Sequence, residues 1–203
     1  MVKFKICGLM RVQDADYVNA VQPDYAGMIF APNRRRTVTH ETAQAIRSRL
    51  DRQIPAVGVF VGAEIEEIRS LVQADIIQLV QLHGQEDAAY LSALRKAVDV
   101  PVIQAFRIDS AEDLARAVQS QADYILLDSG NGGTGESFDW SLIREIGRLF
   151  FLAGGLTPEN AAEAAKLNPY CLDVSSGVET DGQKDPAKIL AFAEAVRSGT
   201  GNL

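Results

Sequence analysis

An apolar run, Tyr124 to Leu127, ends in a carboxylate at Asp128, and a loop with Gly130, Gly132, Gly133 and Gly135 follows before a helical pattern begins at Trp140. A strand that delivers an acid to a pliable loop can present a proton donor, whereas a plain connector would avoid the chain entropy that such glycines cost. Alone, an aspartate there is more often a turn cap than a reacting group. It has company. Cys7 closes the run Val2 to Cys7 and offers a thiol that becomes a base or nucleophile when ionised. Arg34, Arg35 and Arg36 form the densest positive charge in the chain, and a planar guanidinium can grip a carboxylate with two hydrogen bonds. His83 follows another apolar run and is as consistent with a satisfied core imidazole as with a ligand contact. Gly154-Gly155 and Ser175-Ser176-Gly177 end two more runs. Turns of that kind, set before a helix, hold phosphate through backbone N–H groups, which explains why neither contains a lysine or arginine.

The elements that must position these residues are legible as eight short apolar runs. They are Val2 to Cys7, Tyr25 to Phe30, Ala56 to Val61, Ile77 to Leu82, Pro101 to Phe106, Tyr124 to Asp128, Phe150 to Ala153 and Leu172 to Val174. Helical spacing intervenes. Thr39 caps a helix carrying Ala43, Ile46 and Leu50; Ile65, Ile68, Leu71 and Val72 share a face; Leu91, Leu94 and Val98 mark another. Ser110 to Asp113 is a capping box, and Leu142, Ile143 and Ile146 indicate a helix after the glycine loop. Thr157-Pro158 and Asp185-Pro186 open the last two, the final one burying Ile189, Phe192, Ala193 and Val196. Eight strand signals over 203 residues give about 25 residues per unit, which fits a single (β/α)8 barrel of α/β class spanning 1–203, with 198–203 as a frayed tail. An open doubly wound sheet would need fewer strands, and its glycine signature would follow the first strand.

In such a barrel the chemistry sits where the strands end, so Cys7, Arg36, His83, Asp128 and the two turns belong to one mouth. Within the first strand Lys3, Lys5 and Cys7 share a parity opposite to Val2, Phe4 and Ile6. The apolar set should face the helices and the other set the barrel interior, where Lys5 would pair with a carboxylate such as Asp173. Cys171 starts the eighth strand, at the far end from Cys7, so the two are not expected to bridge.

Composition limits the partners. The net charge is −7, which disfavours nucleic acid and acidic membrane surfaces, so an anionic ligand must be met locally. No apolar run approaches the 18 or so residues of a membrane span, and the chain is expected to be cytoplasmic. His40 and His83 form no HxH or HxxxH pair, and two cysteines lack zinc spacing, so no metal is expected.

Assembled in order, Lys5-Ile-Cys7-Gly8, Gly27 to Pro32 with Arg36, Gln81-Leu-His83-Gly84, Asp128 with Gly132 to Gly135 and Phe138-Asp-Trp140, Leu152 to Leu156, and Asp173 to Glu179 with Gly182 to Asp185 resemble the blocks of the phosphoribosylanthranilate isomerase family along almost the whole chain. The family often has Ser-x-Arg where this chain has Arg34-Arg35-Arg36. The resemblance implies an Amadori rearrangement in tryptophan biosynthesis. N-(5-phosphoribosyl)anthranilate, a phosphosugar carrying an anthranilate, would become 1-(2-carboxyphenylamino)-1-deoxyribulose 5-phosphate. It further implies Asp128 as general acid and Cys7 as general base, Arg36 on the anthranilate carboxylate, no cofactor, and a monomer or homodimer. At pH 7 a free aspartate is protonated in roughly one molecule in a thousand and a free cysteine ionised in only a few per cent. Partial desolvation of Asp128, and Lys5 or a helix start beside Cys7, are expected to correct this.

Two other readings compete. The isomerase of histidine biosynthesis runs the same rearrangement with paired aspartates, one of them where this chain has Cys7. A binding module that keeps the phosphate turns without turnover should have lost the acid or the base, and both are present.

Overall fold

The computed structural model describes residues 1–128, 140–143 and 146–199. Eight parallel strands close into a barrel in chain order: β1 (Lys3–Cys7), β2 (Tyr25–Ile29), β3 (Ala56–Phe60), β4 (Leu79–Leu82), β5 (Val102–Arg107), β6 (Tyr124–Asp128), β7 (Phe150–Leu152) and β8 (Cys171–Val174). The barrel closes where β1 meets β8, with Lys3 opposite Cys171 and Lys5 opposite Asp173. Strand alternation sorts the side chains into two cores. Tyr25, Val57, Leu79, Ile103, Leu126, Phe151 and Cys171 fill the interior, and Phe4, Ile6, Met28, Val80 and Ile125 pack outward beneath the helices. Lys5 and Cys7 lie on the interior side, as the parity of β1 requires.

The helices are α1 (Val12–Val21), α2 (His40–Arg49), α3 (Ile65–Gln73), α4 (Ala88–Ala97), α5 (Ala111–Val118), α6 (Pro158–Ala165) and α7 (Pro186–Gly199). The Thr39 and Ser110 caps form, each side-chain oxygen accepting a backbone N–H from three residues on. Four details depart from the sequence pattern. α1 is not announced by it. β4 begins at Leu79 rather than Ile77, because Ile77 is buried in the outer core, whereas strand alternation would put it on the interior face with Leu79. The helix expected on Leu142, Ile143 and Ile146 is, over the described residues, a 3-10 turn, Trp140–Ile143. Six residues then separate Ile143 from β7, and a 3-10 turn covers about 2.0 Å per residue against about 1.5 Å for an α-helix. Finally, of the tail expected at 198–203, Ser198 and Gly199 continue α7, where a Cβ at Gly199 would stand 2.9 Å from the Ala162 carbonyl oxygen on α6, and 200–203 lie outside the described residues. The glycine loop after Asp128 lies outside the described residues. No helix among those described is long and apolar enough to cross a membrane.

Candidate active site

The interior of β1 can carry long polar side chains because β2 has glycine beside them. A Cβ at Gly27 would stand 2.7 Å from Cys7 Sγ and 3.0 Å from Lys5 Cε. Lys5 is fully buried, and its ammonium donates to Asp173 Oδ2 at 2.8 Å and Gln81 Oε1 at 2.7 Å. Burial opposes its charge, yet the negative charge of Asp173 and the neighbouring Cys7 outweigh this and raise the Lys5 pKa. The expected Lys5–Asp173 pair therefore exists. Its expected effect on Cys7 does not prevail. Burial pushes the thiol above its ordinary value, and Lys5, although it pulls the other way, is partly cancelled by Asp173.

Across the mouth, His83 Nε2 lies 3.3 Å from Asp128 Oδ2, and His83 Nδ1 lies 2.9 Å from Gln81 Nε2. The Asp128 side chain is 18% exposed and that of His83 35%, so both are wetted from one side only.

Arg36 reaches the mouth from the loop after β2. Gly8, with φ +80°, makes room for it, since a Cβ there would stand 2.7 Å from Arg36 Cδ. Its Nε and Nη2 donate to Glu179 Oε1 and Oε2 at 2.7 and 2.9 Å, a side-on bidentate pair. Arg35 adds a bond to Glu179 Oε2 at 2.5 Å, and buried Lys184 donates to Glu179 Oε1 at 2.8 Å and to the Ser175 carbonyl at 2.9 Å. Burial alone would raise the Glu179 pKa, but the bonds and charges of Arg36 and Lys184 overwhelm it and hold the carboxyl at about 2. A ligand carboxylate must therefore approach Arg36 by its Nη1–Nη2 end. The side chain of Arg36 is 19% exposed against 55% for Arg35, which makes it the inward member of the cluster.

The two glycine turns form one structure. A Cβ at Gly177 would stand 1.9 Å from the Leu156 carbonyl oxygen, so the turn after β8 lies directly on the turn after β7, and only glycine permits it. Gly154 and Gly155 have φ of +88° and +62°. At the start of α6 the Thr157 N–H is taken by Asn160 Oδ1 at 2.8 Å, and Pro158 has none to offer. Asp173 Oδ1 and Ser175 Oγ are buried and bond to nothing among the described residues.

A cavity of about 450 Å3 has Cys7, Arg36, His83, Asp128, Gly154, Ser175 and Ser176 in its walls. Gly155 and Gly177 stand behind it, shaping the turns. A larger open groove of about 1590 Å3 shares His83, Phe106 and Arg107 with it but includes neither Cys7 nor Asp128, so the reactive groups converge on the smaller space. Three participants escape a reading of strand ends: Gln81, Glu179 and Lys184. The last two sit in a hairpin, β9 (Glu179–Thr180) and β10 (Gln183–Lys184), joined by Asp181 and Gly182 with φ of +50° and +76°. An Asp-Gly pair at the turn is the signal that would have found it.

Fold and site together define a (β/α)8 barrel enzyme that handles an anionic small molecule. The family model of N-(5'-phosphoribosyl)anthranilate (PRA) isomerase matches residues 4–195, and the chain belongs to that family. It is 46% identical over 203 residues to the N-(5'-phosphoribosyl)anthranilate isomerase of Endomicrobium trichonymphae, covering 98% of this chain and 100% of that one. Among solved structures it is similar to the mutually generated monomers of the dimeric phosphoribosylanthranilate isomerase of Thermotoga maritima, with TM-score 0.87, 34% identity and coverage of 98% and 100%. It is equally similar to a phosphoribosylanthranilate isomerase in complex with reduced 1-(o-carboxyphenylamino)-1-deoxyribulose 5-phosphate, with TM-score 0.87, 34% identity and the same coverage of 98% and 100%.

Proposed function

We propose that the chain isomerises N-(5-phosphoribosyl)anthranilate to 1-(2-carboxyphenylamino)-1-deoxyribulose 5-phosphate in tryptophan biosynthesis, with Asp128 as general acid and Cys7 as general base. The observation that carries the reading is the common cavity, which puts Cys7, Asp128, Arg36 and the paired turns around one space. Asp128 gives a proton to the furanose ring oxygen; the C1–O bond breaks as the nitrogen lone pair forms the C1=N bond. The Cys7 thiolate then takes the C2 proton, and the C2–H electrons form the enolamine, which tautomerises to the ketone. Arg36 meets the anthranilate carboxylate by its Nη1–Nη2 end. Gly154, Ser175 and Ser176 meet the phosphate, Gly155 and Gly177 shape the turns that present them, and His83 lies against the substrate beside Asp128.

Burial of Cys7 gives this mechanism a cost, because the thiol must ionise against desolvation. Lys5 supplies the nearest positive charge. The same chain contributes every group named, so one barrel domain forms the site as a monomer or within a homodimer. A charged phosphosugar does not cross a bilayer unaided, and the enzyme is assigned to the cytoplasm with its substrate. Loss of the substrate's anthranilate fluorescence, followed with wild type, Cys7→Ala and Asp128→Asn, tests the reading. Turnover should fall by about 10²- to 10⁴-fold in each variant. Normal turnover in either removes that residue from the mechanism.

A further inference from the structure

The interior of the barrel holds a chain of hydrogen bonds that begins at β8 and ends at β6: Asp173, Lys5, Gln81, His83, Asp128. Gln81 is 1% exposed and lies on β4 two residues before His83, so strand alternation puts both side chains on the same face. Its amide has two ends, and Lys5 decides which is which. An ammonium only donates, so the group 2.7 Å from it must be the amide oxygen. The NH2 end is then committed to His83 Nδ1 at 2.9 Å and donates to it. A ring nitrogen that accepts carries no proton, so the imidazole proton sits on Nε2, which faces Asp128 Oδ2. Reversing the amide would set two donors against each other at one end of a buried contact.

We infer that Gln81, oriented by Lys5, is a positioning residue that fixes the His83 proton on Nε2 and so reserves Asp128 Oδ2 as an acceptor, leaving Oδ1 to carry the proton delivered to the substrate. The inference rests on the reading of Asp128 as the acid. A carboxyl donor is useful only if its proton points at the leaving oxygen, and one oxygen held by an N–H leaves the other to hold the proton. Among the described residues the charged groups around the imidazole include Asp128 on β6, Asp173 on β8 and Lys5 on β1, with Arg34, Arg35, Arg36 and Arg107 in the walls of the same cavity and Glu86 in those of the neighbouring groove. Among the described residues only Gln81 addresses Nδ1.

Gln81→Glu is the sharpest test, because it keeps shape and still offers Lys5 an oxygen. The other oxygen now accepts where the amide donated, and it demands a proton on Nδ1. The chain has only two histidines, His40 and His83, so 15N NMR of the imidazoles in a His40→Gln background reads His83 alone. Wild type without substrate should show Nε2 protonated and Nδ1 bare. Gln81→Glu should show Nδ1 protonated, with kcat lower by on the order of tenfold or more and KM changed far less, since an acid contribution is lost rather than binding. If Gln81→Glu does not fold, Gln81→Met removes the donor to Nδ1 and should give a mixture of the two proton positions with lowered kcat. A wild-type imidazole protonated on Nδ1 overturns the inference, as does an unchanged imidazole in the folded variant. A moved proton with unchanged kcat overturns the catalytic half. Because the spectra need no turnover, they stand even if Asp128→Asn remains active, the result that would defeat the underlying reading.

Discussion

The two ends of the barrel are built from the same residue types and behave differently. At the floor, Lys3 donates to the Tyr170 hydroxyl at 2.9 Å, and Tyr25 and Tyr124 place their hydroxyls 3.0 and 3.5 Å from the same oxygen. The rings of Tyr124 and Tyr170 stack with centroids 4.9 Å apart. Cys171 lies buried against this cluster, opposite Lys3, and burial raises its thiol well above the ordinary value. At the mouth, Lys5 and Cys7 repeat the pairing two layers higher, but Asp173 Oδ1 and Ser175 Oγ are buried without a partner among the described residues. Leaving such an atom desolvated costs about 1–3 kcal/mol. The floor satisfies its polar groups among themselves, whereas the mouth leaves two buried oxygens unpaired among the described residues, which on the proposed reading makes the one a stability layer and the other a binding layer.

The comparison breaks most readily at the cysteines. Cys7→Ala should lower kcat by about 10²- to 10⁴-fold, whereas Cys171→Ala should leave kcat unchanged and cost only stability. Comparable losses of turnover in both would erase the distinction. The next effect is on stability against acid. The Glu179 carboxyl is held at about 2 instead of its ordinary 4.5, so its contribution is complete above 4.5 and is lost as pH falls toward 2. At about 1.4 kcal/mol for each unit, about 2 kcal/mol of this is lost between pH 4.5 and pH 3 and the rest below it. Denaturant unfolding at pH 7 and pH 3 measures that part, and Glu179→Gln should shrink the difference by about the same amount.

A smaller change is expected at Arg36. Arg36→Met removes a charge-assisted pair and should raise KM about 10- to 100-fold with a lesser change in kcat. An altered kcat at constant KM would place Arg36 with the reacting groups instead. Least of all, Tyr170→Phe should cost about 1 kcal/mol of stability and leave turnover alone, as thermal unfolding and the fluorescence assay would show. A loss of turnover there would mean that the floor takes part in the chemistry.

Much of this was legible in the chain itself. Strand parity placed Lys5 and Cys7 inside, and the charge of Lys5 pointed to Asp173, because an interior ammonium needs a carboxylate within reach. α1 was hidden because its buried face combines Ala15, Val18 and Val21 with buried Asp14, whose carboxylate caps Met10 and Arg11, so no clean apolar stripe exists. The raised pKa of Cys7 is not legible in the sequence, because burial of its thiol comes from neighbouring strands that lie far away along the chain. Glu179 and Lys184 lie beyond the end of β8 and carry no strand-end signal, and only the hairpin brings them under Arg36. The glycine turns after β7 and β8 were visible as two motifs, but their contact through Gly177 belongs to the packing.

That hairpin has a mechanical consequence. Arg36 is anchored to Glu179, Glu179 to Lys184, and Lys184 to the backbone of Ser175, so the cation from the second connection and the peptide turn after the eighth strand are pinned to a single brace. Neither can drift without dragging the other. On the proposed reading, that fixed gap would act as a caliper for a molecule bearing negative charge at both tips, sorting it by length as well as by charge.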